Sequence, residues 1–506
     1  MLAPATLVYT YLGFLTSVRV PSQPVRRLHA TPHRAAIFSA LNSTADSVEG
    51  VPADQASLFA SLRARQLSLT AEVNDRWRSA ECKSTIPVAL DGWIRRLALD
   101  WPRAAVGTSD GRVVVTDLTT GETIARKMRA HPAYVETDES ARAMRLLHGD
   151  YDGGGLTAIA FQGRLVVSAG REGGATLWKL GSPSDGRPEE LQEVARLGTD
   201  DAVVSAIQLT GDLDGVDEGN VGIWLACLDG VVRKWEYSSS WSFVAGESPP
   251  AGSAPRCTLR LRCESAVLDF ATLEVRGLCA CATAVGSVQV FSMEQGVLCG
   301  QWEPLVGLFE RQPGSGGAVS KGERARTLAF VPVEQGSNGH THALLVGGSD
   351  GSMHARYLAA ARGPQDERGE QGRSAEGGDS DAISADGLWD EASEPVALLP
   401  AHGGACVALT PVGDEAPGLV VSGAHDGTLR MWDLEWSPEK GLPSDGGGVG
   451  AGGDGAVCLY GLGGYKVWLG SVVTDGKRLV SDGRDNCVLV HDFTLAPEAR
   501  RRPDSE

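Results

Sequence analysis

The chain has 506 residues, 64 glycines, only 6% aromatic residues and a formal net charge of −18. A surface that binds nucleic-acid phosphates needs clustered Lys and Arg, so this acidic balance argues against nucleic acid as a partner. The high glycine content suits a chain with many tight turns and favours an all-β protein. A prior of about 150 residues per domain predicts three domains, unless internal repeats combine the chain into one.

Residues 1–50 have the composition of a targeting leader. Residues 2–20 are largely apolar, arginines follow, and no acidic residue precedes Asp46. Transit peptides are typically rich in Arg and Ser and poor in acidic residues. An apolar stretch ahead of an Arg-rich part resembles the two-part leader of algae with secondary plastids, which predicts a plastid location. A mitochondrial leader and a disordered tail on a cytoplasmic protein are alternatives; Arg19 interrupts the apolar run, so no stable membrane span is expected.

Residues 51–85 are predicted as an amphipathic helical region, in which residues 52–78 form one helix. Asp54 can cap the helix. The helix either packs on the rim of the domain or docks a partner. Its end, residues 74–78, faintly resembles the last helix of an F-box, although the Leu-Pro-x-Glu opening of that motif is absent. One apolar stripe is formed at helical spacing by Leu58, Leu62, Leu69, Val73 and Trp77.

Seven hairpins follow one another between residues 86 and 495. The clearest is residues 419–434, LVVSGAHDGTLRMWDL, with its turn at Asp426-Gly427. An apolar run precedes each hairpin and is predicted to be an inner strand. The turns recur every 56 to 76 residues, so insertions must separate the repeats. The remaining turns lie at 110–111, 173–174, 229–230, 286–287, 350–351 and 485–486.

A Ser-x-x-x-Asp-Gly hairpin that closes on Trp-Asp resembles the inner half of a WD40 propeller blade. The resemblance covers residues 86–495 and implies an all-β fold, a single seven-bladed β-propeller. It further implies that the sixth blade holds the buried hydrogen-bond set of the family, a structural set and not a catalytic one. The four residues that match this set are His402, Ser422, Asp426 and Trp432. The Ser position departs from the pattern in three other blades, where Val106, Leu225 and Val346 stand.

An internal match predicts how the ring closes. Residues 395–398 and residues 87–90 both read Pro-Val-Ala-Leu, and each precedes an inner strand. The second copy follows a complete hairpin, whereas the first copy has no earlier blade to belong to. WD40 propellers close by lending an N-terminal strand to the last blade, which removes an exposed sheet edge. The first copy is therefore expected to supply the outer strand of the seventh blade.

Insertions and the tail have little to bury. Residues 364–394 are acidic and rich in Gly and Ser, and residues 437–456 are rich in Gly, so both are predicted to be disordered. Residues 496–506 form a polar tail.

No sequence pattern points to an enzyme or a cofactor. The chain has no Gly-x-Ser-x-Gly, His-Glu-x-x-His or phosphate-loop Lys signature, and its ten cysteines include no Cys-x-x-Cys pair. The cysteines are expected to be buried free thiols, and neither a metal site nor a bound cofactor is predicted.

The sequence therefore predicts a non-enzymatic scaffold that binds one or more proteins through the loops of the ring. The turns at His131, His402 and Gly403 are expected on the binding face. The hairpin turns at residues 171–172 and 484–485 are expected on the opposite face. The alternative is a substrate receptor of a ubiquitin ligase, through an F-box-like helix or a WD40 adaptor motif. The Glu435 that stands where a Trp-Asp-x-Arg docking motif needs Arg counts against it.

Overall fold

A computed structural model of the chain describes its fold from residue 53 onward, with gaps. The predicted leader, most of the two insertions and the tail lie outside the described residues, as do Arg484 and Asp485. The described ranges are 53–132, 155–181, 189–211, 220–238, 254–304, 325–334, 341–359, 388–389, 395–398, 402–435, 456–465, 469–483 and 486–495.

In the described part of the chain, the helix α1 (Ala53–Ser79) precedes seven sheets, and a 3₁₀ turn (Glu274–Arg276) lies in the fourth blade. The chain first forms β1 (Lys83–Ala89), and the blades follow in chain order. The first blade contains β2 (Ile94–Asp100), β3 (Arg103–Thr108), β4 (Val113–Asp117) and β5 (Thr123–Lys127). The second contains β6 (Leu156–Gln162), β7 (Leu165–Gly170), β8 (Ala175–Lys179) and β10 (Gln192–Leu197), and β9 (Glu189–Glu190) adds a parallel fifth strand to the first.

The third blade contains β11 (Val204–Thr210), β12 (Asn220–Cys227), β13 (Val231–Ser238) and β14 (Arg256–Arg262). The fourth contains β15 (Val267–Leu273), β16 (Leu278–Thr283), β17 (Val288–Ser292) and β18 (Leu298–Trp302). The fifth contains β19 (Ala325–Pro332), β20 (His342–Gly348), β21 (Met353–Tyr357) and β22 (Val396–Ala397). The sixth contains β23 (Cys406–Pro411), β24 (Leu419–Ala424), β25 (Leu429–Asp433) and β26 (Val457–Leu462). The seventh contains β27 (Val472–Thr474), β28 (Arg478–Asp482) and β29 (Cys487–Asp492).

The second strand of each blade is buried along most of its length because blades stack face to face. Every residue of β7 and of β24 is buried, although alternate side chains point to opposite faces of the sheet. A strand that is covered on both faces reads as a continuous apolar run rather than an alternating one. The seven hairpins predicted from these runs are all present, and the seven-bladed β-propeller is confirmed.

The ring closes as the internal match predicts. Strand β1 pairs antiparallel with β29, with Val88 opposite Val488. The N–H of Leu90 donates to the carbonyl of Asn486 over 3.0 Å, just as the N–H of Leu398 donates to Met353 over 2.9 Å at the other copy. The two Pro-Val-Ala-Leu copies thus make the same edge contacts in the seventh and fifth blades. The helix ends at Ser79, inside the predicted region 51–85, and β1 begins at residue 83, slightly ahead of the predicted start of the blades at residue 86.

Part of the acidic insertion is ordered, which corrects the prediction of disorder over 364–394. Leu388 is 1% exposed and Trp389 is 8% exposed. Trp389 bridges to Leu358 and makes an edge contact with Trp302, at 6.0 Å between ring centroids. These two apolar residues pack between the fourth and fifth blades. The acidic composition of the surrounding segment does not indicate that they are buried.

The helix α1 packs on the ring through its C-terminal part. Trp77 is fully buried, stacks on Phe493 at 3.6 Å between centroids, and donates its indole N–H to the carbonyl of Gly476 over 3.1 Å. Leu62 and Leu69 remain 49% and 54% exposed. Of the described residues of the predicted stripe, Val73 and Trp77 pack against the ring, whereas Leu62 and Leu69 are exposed to solvent.

We expect ring closure to carry much of the stability. A chain that begins at Cys82 lacks α1 but keeps β1, whereas a chain that begins at Leu90 lacks both. The shorter chain uncovers the edge of β29 and the apolar contacts of Val88, so its melting temperature should lie roughly 5 °C or more below that of the longer one. Equal melting temperatures by differential scanning calorimetry would contradict this role of β1.

Candidate protein-binding face

The sixth blade brings its four predicted residues together. The hydroxyl of Ser422 accepts the indole N–H of Trp432 at 2.9 Å and shares a 2.7 Å hydrogen bond with Nε2 of His402. Nδ1 of His402 lies 3.0 Å from the hydroxyl of Thr428, which donates to Asp426 over 2.6 Å. The sequence pattern did not include Thr428, which links the imidazole to the carboxylate.

The electrostatics of this set fit a structural role. Burial lowers the pKa of His402 to about 4, so the ring is neutral near pH 7. Against the opposing effect of burial, hydrogen bonds from Thr428 and from the N–H of Gly403 hold the pKa of Asp426 below its usual value. The chain of donors and acceptors ties the turn before the blade to the hairpin turn within it.

The second blade contains an equivalent set that the sequence analysis did not identify. The hydroxyl of Ser168 accepts the indole N–H of Trp178 at 2.7 Å and pairs with Nε2 of His131, also at 2.7 Å. Nδ1 of His131 contacts the carboxylate of Glu172. A ten-residue spacing from Ser to Trp, shared with the sixth blade, was the available signal. The second blade has Glu172 where the pattern has Asp, and two glycines follow it, so the pattern is not apparent from the sequence.

The seventh blade uses a different set at the same place. His491 stands ten residues after Ser481, where the other two blades have Trp. Nε2 of His491 pairs with the hydroxyl of Tyr465 and Nδ1 with that of Ser84, each at 2.7 Å. Burial lowers the pKa of His491 to about 4. Because Ser84 belongs to β1, this set also fastens the closing strand.

The third blade replaces the set with an ion pair. Leu225 occupies the Ser position, and the indole N–H of Trp235 is buried without a hydrogen-bond partner. Arg233, which is 1% exposed, contacts carboxylate oxygens of Asp229 at 2.6 Å and of Asp200 at 3.0 Å. Asp200 precedes the blade and Asp229 lies in its hairpin turn, so the ion pair joins the same two turns as the histidine sets do.

These contacts correct the predicted assignment of faces. His131 contacts Glu172, and His402 lies near Asp426, so the turns before a blade and the hairpin turns within it share one face. The reason is topological, because successive connections in an antiparallel blade alternate between its two ends. We call this the upper face; the lower face carries the other two connections and the C-terminal end of α1.

The upper face presents apolar side chains among acidic turn residues that are already engaged. Asp110 and Asp229 pair with Arg112 and Arg233 of their own hairpins. The exposed large apolar residues of this face lie in turns of the second, third and fourth blades. They are Met128, Leu228 and Val285, which are 53%, 43% and 64% exposed.

Two concavities open beside these residues. A groove of about 820 Å³ lies over the second blade, with Met128, His131 and Glu172 in its lining. A central cavity of about 710 Å³ lies along the innermost strands, with Leu228 in its lining. Both volumes fall within the range of about 300–1,000 Å³ that ligand sites occupy.

Side-chain hydrogen bonds join neighbouring innermost strands around the central cavity. In six blades, the second residue of the innermost strand forms a β-bulge, which shifts the pairing register at that residue. Hydrogen bonds between neighbouring blades include those from Leu97 N–H to Ser471 Oγ at 3.0 Å, Arg96 Nε to Thr157 O at 2.5 Å, Ser205 Oγ to Val267 O at 2.7 Å and Leu328 N–H to the Asp269 carboxylate at 3.1 Å.

Among the described residues that line the cavity, Asp269 is the only one with a carboxylate side chain. It accepts hydrogen bonds from the hydroxyl of Thr327 at 2.8 Å and from the N–H of Leu328. Burial raises the pKa of Asp269 to about 6, although these hydrogen bonds oppose the rise. Three arginines, Arg95, Arg96 and Arg326, line the same cavity.

All ten cysteines are free thiols, and six of them are buried. In the part of the chain that the structure describes, no group of three or more His, Cys, Asp or Glu side chains is arranged to hold a metal ion. No described helix is long and apolar enough to cross a membrane.

No model of a known protein family matches the chain, and no curated protein matches it. Solved structures do match, and one is the computationally designed protein Ika8. The two sequences are 17% identical, the match covers 81% of this chain and 99% of that chain, and the TM-score is 0.42. The seven-bladed architecture is established by the strand pairing.

Trp432 should be among the most sensitive positions of the sixth blade. Trp432→Ala should lower the free energy of unfolding by about 3–5 kcal/mol, because it empties a fully buried site. Trp432→Phe keeps much of the packing and removes the donor to Ser422, so it should cost less. An unchanged melting temperature for Trp432→Ala would contradict the role of this set.

Asp269 should give the fold a pH dependence that Asp269→Asn removes. A carboxyl whose pKa is higher in the folded chain binds more protons there, so its contribution to stability is greatest at low pH and is lost as pH rises through about 6. Between pH 4 and 7, the free energy of unfolding of the parent relative to Asp269→Asn should fall by about 1–3 kcal/mol. A difference that stays flat or rises in chemical denaturation would refute the raised pKa.

Proposed function

We propose that this chain is a non-enzymatic protein-interaction scaffold of the WD40 type, which binds its partners on the upper face. The observation that carries the proposal is the exposure of Leu228 and Val285 in hairpin turns of neighbouring blades. Exposed apolar side chains on rigid turns are a common feature of protein-binding surfaces. The net charge of −18 favours proteins over nucleic acid as partners.

Membership of the WD40 class is supported by the two related sets in the second and sixth blades. Each couples a Ser and a Trp ten residues apart to a His in the preceding turn. Their effect would be to hold the upper-face turns in one conformation, so that a partner meets a preorganised surface and the loss of loop entropy on binding is small.

The leader composition supports a location for this scaffold inside a plastid. If residues 1–50 are removed on import, the chain recovered from its own cells should begin near residue 50. N-terminal sequencing of the purified chain tests this part of the proposal independently of binding.

The binding face can be tested by affinity purification of the tagged chain from its own cells with mass spectrometry. The variant Leu228→Asp/Val285→Asp should lose a reproducible set of proteins, because it places charges in the apolar part of the surface. The matched control is Val275→Asp on the lower face, at a valine that is 80% exposed.

All three chains should have equal melting temperatures, since the substituted side chains are exposed. Loss of the same proteins from the control, or their retention by the upper-face variant, would overturn the proposed face. Recovery of ubiquitin-ligase subunits would instead favour a substrate receptor.

A further inference from the structure

The helix α1 extends well beyond its contact with the ring. Its 27 residues correspond to a length of about 40 Å at 1.5 Å per residue. Near the C-terminal part of the helix, Thr70 and Asn74 both hydrogen-bond to Glu415 of the ring. From Ala60 to Leu69, the side chains are exposed, except that Gln66 is partly covered.

The exposed part continues the apolar stripe that docks the helix. At 100° per residue, Leu62 and Leu69 lie on the same face as Val73 and Trp77. Val73 and Trp77 belong to the apolar cluster between the helix and the last two blades. The apolar stripe therefore continues from the contact between α1 and the ring onto the exposed part of the helix.

The charge along this uncovered part differs from that of the whole chain. Arg63 and Arg65 flank the stripe on its two sides, and no acidic residue occurs between residues 60 and 71. The chain as a whole carries a net charge of −18. A basic apolar helix on an acidic protein favours a partner of opposite local charge.

We propose that the exposed face of α1, formed by Leu62 and Leu69 between Arg63 and Arg65, binds an acidic amphipathic helix of another protein. The partner helix supplies apolar side chains at helical spacing against the two leucines and carboxylates against the two arginines. An isolated helical extension of this length is marginal in water, so binding also stabilises its helical state. The site lies on the lower face and does not depend on the proposed upper-face function.

A second copy of this chain is a poorer occupant. Two copies of α1 packed antiparallel across Leu62 and Leu69 would bring Arg65 of one close to Arg65 of the other, and like charges repel. An anionic membrane is also poorer, because the ring that α1 is fixed to is strongly acidic and would be repelled from the lipid headgroups.

The test is site-specific photo-cross-linking of the full chain in its own cells. A photoreactive residue replaces Gln66, which lies between the two leucines and leaves both in place. The control position is Leu298, which is 47% exposed on the fourth blade, away from α1. Mass spectrometry of the adducts identifies the attached segment. An acidic segment with helical apolar spacing, captured at residue 66 and not at residue 298, is the expected result.

Charge variants then distinguish specific recognition from non-specific hydrophobic association. Arg63→Glu/Arg65→Glu should lower the cross-link yield about tenfold, whereas Arg63→Lys/Arg65→Lys should largely retain it. Leu62→Ser/Leu69→Ser should abolish it without changing the melting temperature, because both leucines are exposed.

Several outcomes would overturn the proposal: adducts with another copy of this chain, adducts with lipid, or no yield above the Leu298 control. The upper-face variant Leu228→Asp/Val285→Asp should leave the cross-link at residue 66 unchanged. A failure of the upper-face proposal and a failure of this one therefore give different results.

Discussion

The pairing of β1 with β29 is the constraint on which the arrangement of this molecule depends. Six blades each take their four main strands from one region of the chain, with β9 as an added fifth strand of the first, whereas the described part of the seventh has three strands of its own. Without β1, the edge of β29 would present unpaired backbone groups and uncover Val488 and Val490. The first strand therefore completes the last blade, and Ser84 within it also anchors His491.

This closure also fixes the position of α1. Strand β1 runs from Lys83, opposite Asp492, to Ala89, opposite Cys487, so it enters the seventh blade at the lower face. The helix before it must arrive on that face, where Trp77 stacks on Phe493. One set of backbone pairings thus separates the two proposed surfaces, with the upper-face turns on one side of the ring and the exposed half of α1 on the other.

Different blades use different side-chain interactions to connect the turns of the upper face. In the second, third and sixth blades, side chains tie the turn that precedes the blade to the hairpin turn within it. The second and sixth blades use a histidine that links a serine hydroxyl to the hairpin turn, and the third uses Arg233 between two carboxylates. Around the central cavity, side-chain hydrogen bonds across the innermost strands link several neighbouring blades directly.

The sequence by itself determined the number of blades, the hairpins and the closing strand. The hairpins follow from local periodicity, and the closing strand follows from one repeated tetrapeptide taken together with the family resemblance. It also identified the set around Trp432, because that blade keeps the full pattern. Only the tertiary structure decided which turns share a face, since that depends on how strands alternate in direction.

Tertiary structure alone also showed that Glu172 joins His131, that Trp389 is buried within an acidic segment, and that Leu62 and Leu69 are left uncovered. The physical reason is the same in each case. A periodic pattern in the sequence indicates which side chains can be buried. It does not indicate which residues bury them, because those residues come from distant parts of the chain.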